Sequence, residues 1–384
     1  MESNTGRVIN LSRLYGRFQQ LTDKRKPKGK RYALETILLA TFLAKLCGED
    51  KPSGIAQWVQ LRGGWLASAL SLKRKEMPSH HTYRRVLAEK MDPEELEALA
   101  RTRHRRHGKA GYHVVLSMDG KVIRGTIDLE ASDGLCLLAA YLPGEGITLA
   151  QIALERQQNE ISAAPLLLEM VDLRNKVVIG DAIHTQRQVS IQIGRAGGNY
   201  LWTVKGNQPQ LQQDLQDWFD LEVKLIPGMG YLPKDFRSAT TITKGHGRIE
   251  TRTLTTSSQL NDFLDWPFLQ QVFKLERTAT NCKTGQTRHE VVYGMTSLSA
   301  QEASPRQLLQ MLRSYWGIES GLLYRRDVSL HEDQTRFKKH SAAQAMAIIN
   351  NLILGLLAES DFLFVPTARR YYAAHPEEAL DLLL

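Results

Sequence analysis

Three acidic side chains in this sequence occupy places where a carboxylate invites chemistry. Asp119 follows the apolar run VVLSM and precedes Gly120, and Asp181 closes the apolar run VVIG. Continuous apolar runs suit strands buried on both faces, and ligands of open α/β sheets gather at the C-terminal ends of such strands. If the two strands are neighbours, both aspartates project from one edge. The third acid, Glu319, follows a helix start in which Ser304-Pro305 reads as N-cap and first helical position. At about 100° per residue, Leu308, Leu312, Tyr315, Trp316, Leu322 and Leu323 share a face roughly 120° wide, and Glu319 falls inside it. The pattern predicts one amphipathic helix with a carboxylate in its apolar stripe, packed across the sheet so that the third acid stands beside the first two.

An ionised carboxylate removed from water must be paired, protonated or metal-bound. Three of them in a small volume repel, and divalent cations supply the compensation. Hard oxygen ligands without cysteine point to Mg²⁺ or Mn²⁺. Two such ions about 3.5–4 Å apart activate a water or a 3′-hydroxyl and stabilise the leaving oxygen of an in-line phosphoryl displacement. The chemistry implied is the cutting and joining of phosphodiesters. Simpler readings stay open at this level: each aspartate as a turn former or helix cap, and Glu319 as the ion-pair partner of Arg326 or Arg313.

Cations near these segments carry two readings each. Arg326 is either that structural partner or a charge aimed at phosphate. Lys205-Gly-Asn-Gln208 follows an apolar strand, where a lysine and backbone amides suit a phosphate. Lys244-Gly-His-Gly-Arg248 is a basic glycine-rich turn entering a strand, and a hairpin explains it equally well. Arg84 and Arg85 face DNA if Ser79-His-His-Thr-Tyr-Arg-Arg begins the second helix of a helix-turn-helix; otherwise they line the outer face of a small helical domain. His184, three residues after Asp181, is a weak metal signal by itself.

The elements that must position these groups fall into two textures. Residues 1–110 read as mostly helical, with amphipathic segments near 31–47, 54–70, 79–90 and 92–106, Ser79 and Asp92 as N-caps, and Glu95 completing a capping box. Residues 111–384 turn to strands and then alternate: apolar runs at 114–118, 135–142 and 147–154, a helix near 160–171, a strand at 177–179, a helix from about 185 and a strand at 200–204. Three strands, helix, strand, helix, strand is the order of an RNase H-like mixed sheet with flanking helices. A β-rich stretch at about 235–300, in which Arg248–Leu254 alternates with period two, interrupts that order before the Glu319 helix and reads as an insertion.

Composition narrows the partners. With 42 % hydrophobic residues the chain can build ordinary cores. Fifty Lys+Arg against 41 Asp+Glu leave a formal charge of +9, concentrated in Lys24–Arg31 and Arg101–Arg106, which favours a polyanionic partner. Three isolated cysteines allow neither a disulfide framework nor a four-cysteine zinc site and suit a reducing cytoplasm. The N-terminus lacks a signal-peptide core and no apolar run reads as membrane-spanning, so no membrane partner is expected.

Seven segments together resemble a known family: PSHHTYRRVL (78–87), MDGKVIRGT (118–126), ERQQNEISAAPLLL (155–168), VVIGDAIHTQ (177–186), NYLWTVKGNQPQL (199–211), KGHGRIETR (244–252) and LRSYWGIESGLLYRRDVSLHEDQTR (312–336). In this order they are similar to the DDE transposases of bacterial insertion sequences, in the subgroup that includes the H-repeat-associated proteins. The resemblance implies that Asp119, Asp181 and Glu319 are the catalytic and metal-binding acids and that the helical N-terminal domain binds transposon ends. It further implies an RNase H-like fold with a β-rich insertion, and two Mg²⁺ or Mn²⁺ ions. Related enzymes carry Tyr-x2-Arg-x3-Glu-x6-Lys around the glutamate; here those positions hold Leu312, Tyr315, Glu319 and Arg326. The closer subgroup runs His-Trp-Ile-Glu-Asn and then Leu-His-Trp, where this chain has Tyr315-Trp-Gly-Ile-Glu-Ser320 and Leu322-Leu-Tyr324. Asp327 is a reserve for the third acid. The implied function is a cytoplasmic transposase that binds double-stranded DNA at the element's terminal inverted repeats, cleaves it and joins it to target DNA as a homo-oligomer. A DNA-binding relic without catalysis and a nuclease without strand transfer are the alternatives.

Overall fold

A computed structural model of the chain describes residues 14–101, 113–127, 134–155, 158–220, 235–245 and 247–384. The apolar runs become strands: β1 (Val114–Ile123), β2 (Leu135–Leu142), β3 (Ile147–Ala153), β4 (Lys176–Gly180) and β5 (Asn199–Val204). The alternating stretch adds β6 (Arg237–Gly245), β7 (Arg248–Ser257), β8 (Gln271–Asn281) and β9 (Thr287–Thr296). These elements belong to two compact units, each discontinuous in sequence. The first comprises Met1–Arg106, Gly120–Asn159 and Ile318–Leu384; the second comprises His107–Asp119 and Glu160–Gly317. The change of texture near residue 110 lies along the chain, whereas the units cut across it. The N-terminal helices pack with β3 and with the late helix His340–Ala358.

In the second unit the first half of β1 runs parallel to β4, with Val114 opposite Lys176 and Met118 opposite Gly180, and β4 runs parallel to β5. β5 then pairs antiparallel with β9, and the order continues β9-β8-β7-β6. The expected insertion is therefore hydrogen-bonded onto the edge of the parallel strands and lengthens their sheet. Close approach is needed at that seam: a Cβ on Gly294 of β9 would overlap Phe273 and the Trp202 carbonyl. The helix Pro305–Tyr315 covers this sheet. Ser304 caps it in a capping box with Gln307, and its Leu308, Leu309 and Leu312 bury against Val177, Ile179, Leu201, Leu254 and Phe273.

In the first unit β2 and β3 form an antiparallel pair, and the strand order there is β3-β2-β1. Ile123, Leu135 and Leu137 pack against Ala343 and Ala347 of the helix His340–Ala358. That helix has 19 residues and a mean hydropathy of 1.5, so, against the expectation that no apolar run is membrane-spanning, it meets the length and composition of a membrane span. Its apolar window is 83 % buried within the protein, as befits a core helix. The helix Leu34–Leu46 is likewise almost wholly buried. The expected capping box at Asp92 is only half formed. Asp92 accepts from the Glu94 N–H, while Glu95 takes the Thr22 N–H at 2.8 Å.

Candidate functional site

The site is built on the parallel pairing of β1 and β4. Met118 lies opposite Gly180, and the next residue on each strand is an aspartate, so Asp119 and Asp181 stand side by side where β4 ends. Asp181 leaves the sheet as the N-cap of the turn Ala182–His184, its Oδ1 accepting the Ala182 N–H at 2.8 Å. It is thus a cap as well as an edge carboxylate, and the two readings coexist. Lys205 brings its Nζ to 3.5 Å from Asp181 Oδ1, with both side chains 59 % exposed. Water screens so open a pair, and it contributes little to stability.

The loop bearing Asp181 is held from beneath by groups the sequence reading assigned otherwise. Asn207 Nδ2 donates to the Ala182 carbonyl at 2.7 Å, and Gln208 Nε2 to the Thr185 carbonyl at 3.1 Å. Thr185 Oγ1 donates to the Thr203 carbonyl at 2.7 Å. The segment expected to bind phosphate as a whole therefore divides its work: Lys205 stays outside, and the two amides fasten the loop bearing Asp181 to the segment that follows β5. Their position directly after an apolar strand was the available signal. His184 is fully buried, with Nε2 at 3.2 Å from Glu160 Oε2. It packs over Gly180, where a Cβ would come within 2.8 Å of the imidazole. Burial against backbone makes it a support of the loop rather than a metal ligand.

Glu319 departs from the expectation. The α-helix ends at Tyr315, Trp316 is 58 % exposed, and Ile318–Leu323 and Arg325–Ser329 are π-helical. An i→i+5 turn holds one residue more than an α turn, which sets every later position back by roughly 100°. The predicted single face is thereby split. Leu308 and Leu312 bury in the second unit, Ile318 and Leu322 in the first, and Glu319 is exposed. Solvated, it needs no internal counter-charge. Its segment is seated on β2, since a Cβ on Gly321 would lie 2.6 Å from the Tyr141 hydroxyl.

Arg326 also requires correction, both as a phosphate contact and as the partner of Glu319. It is 0 % exposed; its Nη2 lies 2.8 Å from Glu332 Oε2, and its Nη1 donates to Gln151 Oε1 at 2.7 Å. Asn350 Nδ2 donates to Glu332 Oε1 at 2.7 Å. Burial pushes the Glu332 carboxyl up, but Arg326 and Lys121 outweigh it and hold the group below its ordinary range. Asp327, the reserve acid, is paired with Lys121. None of this network was visible in the spacing, because its members come from β1, β3 and segments some two hundred residues later.

The remaining cations are distributed over both units. Arg84 and Arg85 are exposed together on the helix His80–Glu89. Lys244 and Arg248 flank the β6–β7 hairpin, both exposed, and Arg248 Nε lies 2.7 Å from Glu250 Oε1. Much of the Lys24–Arg31 block is paired internally: Lys24 with Asp92, and Arg25 and Lys30 with Asp23. Beyond Arg101, the block Arg101–Arg106 lies outside the described residues. Among the described residues no group of three or more His, Cys, Asp or Glu side chains is gathered to hold a metal ion. Asp119 and Asp181 do offer a pair of hard oxygen donors, and Mg²⁺ is commonly held by one or two carboxylates plus substrate phosphates. The donor pair fits such an ion.

Comparison with known proteins identifies the family. Residues 111–356 match the family model described as Transposase DDE domain, and residues 15–102 match the one described as DDE_Tnp_1-associated. An uncharacterized protein in the dhlA 3′ region of Xanthobacter autotrophicus is 33 % identical over 67 % of this chain and 86 % of its own length. The H repeat-associated putative transposase YhhI of Escherichia coli K12 is 24 % identical over 94 % of each chain. Among solved structures, the piggyBac transposase synaptic complex with hairpin DNA is similar at a TM-score of 0.44 and 10 % identity, over 96 % of this chain and 78 % of that one.

Proposed function

The chain belongs to the transposase DDE domain family, and from that premise we propose that it binds the terminal inverted repeats of its own element, cleaves them at the 3′ ends and joins them to target DNA. The observation that supports this most directly is the pairing of Asp119 and Asp181 on adjacent parallel strands, in register, at the end of β4. The strand order 3-2-1-4-5, continued by four antiparallel strands, supports an RNase H-like core with its insertion. Asp119 and Asp181 hold divalent metal, Mg²⁺ or Mn²⁺, with Glu319 as the third acid by its place in the family's motif. When bound, two such ions supply the Lewis acidity that activates the attacking oxygen and stabilises the leaving one.

The chain's own residues do the remaining work. Asn207 and Gln208 keep the Asp181 loop on the segment that follows β5, so the carboxylate keeps its aim. Lys205 stands where it meets a phosphate brought to the aspartates. Arg84 and Arg85 hold DNA backbone at the helical N-terminal region, and Lys244 and Arg248 at the hairpin. Joining two ends calls for two sets of acids, so the active species on DNA is a homo-oligomer. Phosphate neutralisation makes binding fall steeply with salt.

The test is cleavage of a labelled duplex carrying the flanking inverted repeat, with Mg²⁺. Asp119→Asn, Asp181→Asn and Glu319→Gln are each expected to abolish strand cleavage while leaving duplex binding intact. Full cleavage by any of them removes that residue from the site. Joined products in the wild-type reaction separate a transposase from a nuclease. Binding without cleavage identifies a relic.

A further inference from the structure

Two residues beyond Asp119 on β1, Lys121 is drawn into the first unit. Its side chain is 8 % exposed, and its ammonium contacts Asp327 and lies 3.3 Å from Glu332 Oε2 and 3.4 Å from Asp333 Oδ1. Asp327 belongs to the π-helical turn Arg325–Ser329, separated only by Tyr324 from the turn Ile318–Leu323 that bears Glu319. Further ties run the same way. The Arg124 N–H donates to Asp333 Oδ1 at 3.1 Å, and Lys338 Nζ donates to the Gly125 carbonyl at 2.6 Å. The end of β1 is thus stitched to the segment that follows Glu319.

The chemistry of this junction is costly for a purely structural purpose. A buried ammonium among carboxylates is commonly no more stabilising than well-packed apolar side chains of the same volume. What the ion pairs add is a defined geometry, and π turns, which are rare and occur mostly at functional sites, need an anchor to hold theirs.

We propose that Lys121 is a positioning residue for strand cleavage: through Asp327 it fixes the π-helical segment bearing Glu319 to the strand that carries Asp119. The role rests on the transposase reading above and adds to it a residue that touches neither DNA nor metal. In the same cleavage assay, at saturating duplex and Mg²⁺, Lys121→Met is expected to lower the cleavage rate about 100-fold, the scale of a displacement of about 1 Å at a reacting centre. Duplex Kd stays within about twofold, because binding does not depend on the placement of Glu319. Lys121→Arg, which keeps the charge, restores most of the rate. Asp327→Asn reproduces the loss, and the double variant is no worse than either single one, as expected of two partners in one contact. Wild-type cleavage by Lys121→Met or by Asp327→Asn overturns the proposal, as does a double variant whose losses multiply. Should Lys121→Met fail to fold, the partly exposed Asp327→Asn decides alone by the same two readouts. A wild-type chain that leaves the duplex uncut overturns the transposase reading and this role with it, whereas a cutting wild type with an active Asp327→Asn overturns only this role.

Discussion

Asp181 and Glu332 are both carboxylates at bends of the chain, and the protein treats them in opposite ways. Glu332 is 4 % exposed and met by Arg326, Lys121 and Asn350. Asp181 has a 59 % exposed side chain, a backbone N–H on one oxygen and a lysine at 3.5 Å. The first carboxylate has its counter-charges built in and is closed to anything from outside. The second keeps company with a neighbouring aspartate and an open face. Charge alone therefore does not tell the two apart; burial and built-in counter-cations do. The contrast also explains why Arg326, which stands at the last position of the related enzymes' signature, is unavailable to phosphate.

Three substitutions separate the buried cluster from the exposed pair. The largest effect is expected from Arg326→Met, which leaves Glu332 buried beside a single cation. A loss of about 3–5 kcal/mol in chemical denaturation is expected, and a loss under about 1 kcal/mol would place the buried cluster on the same footing as the exposed pair. Glu97 comes next, because it is an acid in the same unit without a strong cation. Burial raises its pKa to about 7, against the bond it accepts from the Gln151 N–H. Folded Glu97 stays protonated up to that pH, while in the unfolded chain it ionises from about 4.5 upward. Its stabilising contribution is therefore present below the unfolded value and is lost as pH rises through the folded one. Measured as wild type minus Glu97→Gln, stability should fall by up to about 3 kcal/mol between pH 5 and pH 8; a difference that stays flat shows Glu97 ionised throughout. The smallest effect belongs to Lys205→Met. The exposed pair it breaks is worth at most about 1 kcal/mol, so the melting temperature should hardly move while cleavage of the duplex weakens. A large drop in melting temperature would make the Asp181 edge a structural cluster too.

Much of the site's scaffold was legible locally. VVLSM and VVIG are short apolar runs, and such runs form buried strands whatever surrounds them; Asp181 falls just past the end of β4 as expected, whereas β1 continues through Asp119 to Ile123, so Asp119 lies within its strand and is opposite the end of β4 only through the register. Ser304, Pro305 and Gln307 likewise specify a helix start through bonds that span only three residues. Glu319 was misplaced because a helical wheel assumes an unbroken α turn, and the π turns after Trp316 shift the phase without any mark in the spacing. Glu95 was assigned to its own helix and is instead engaged by Thr22, a competition between local and distant partners that no window of sequence displays.

Order and spacing therefore carried the short-range part: which segments become strands and helices, where each begins, and that two acids close apolar runs in a chain of the DDE pattern. The tertiary structure alone decided which strands are neighbours and in what register, so that Met118 faces Gly180 and the two acids align. It decided that β9 extends the sheet from β5, that Arg326 turns inward to Glu332, and that Lys121 reaches Asp327. The physical reason is the range of the forces recorded in each. Propensity, capping and periodicity act over a few residues and leave their signature in order and spacing. Strand pairing and ion-pair partnership close far longer loops, 319 residues between Asp50 and Arg369, and their outcome depends on which surfaces the folded chain presents to each other.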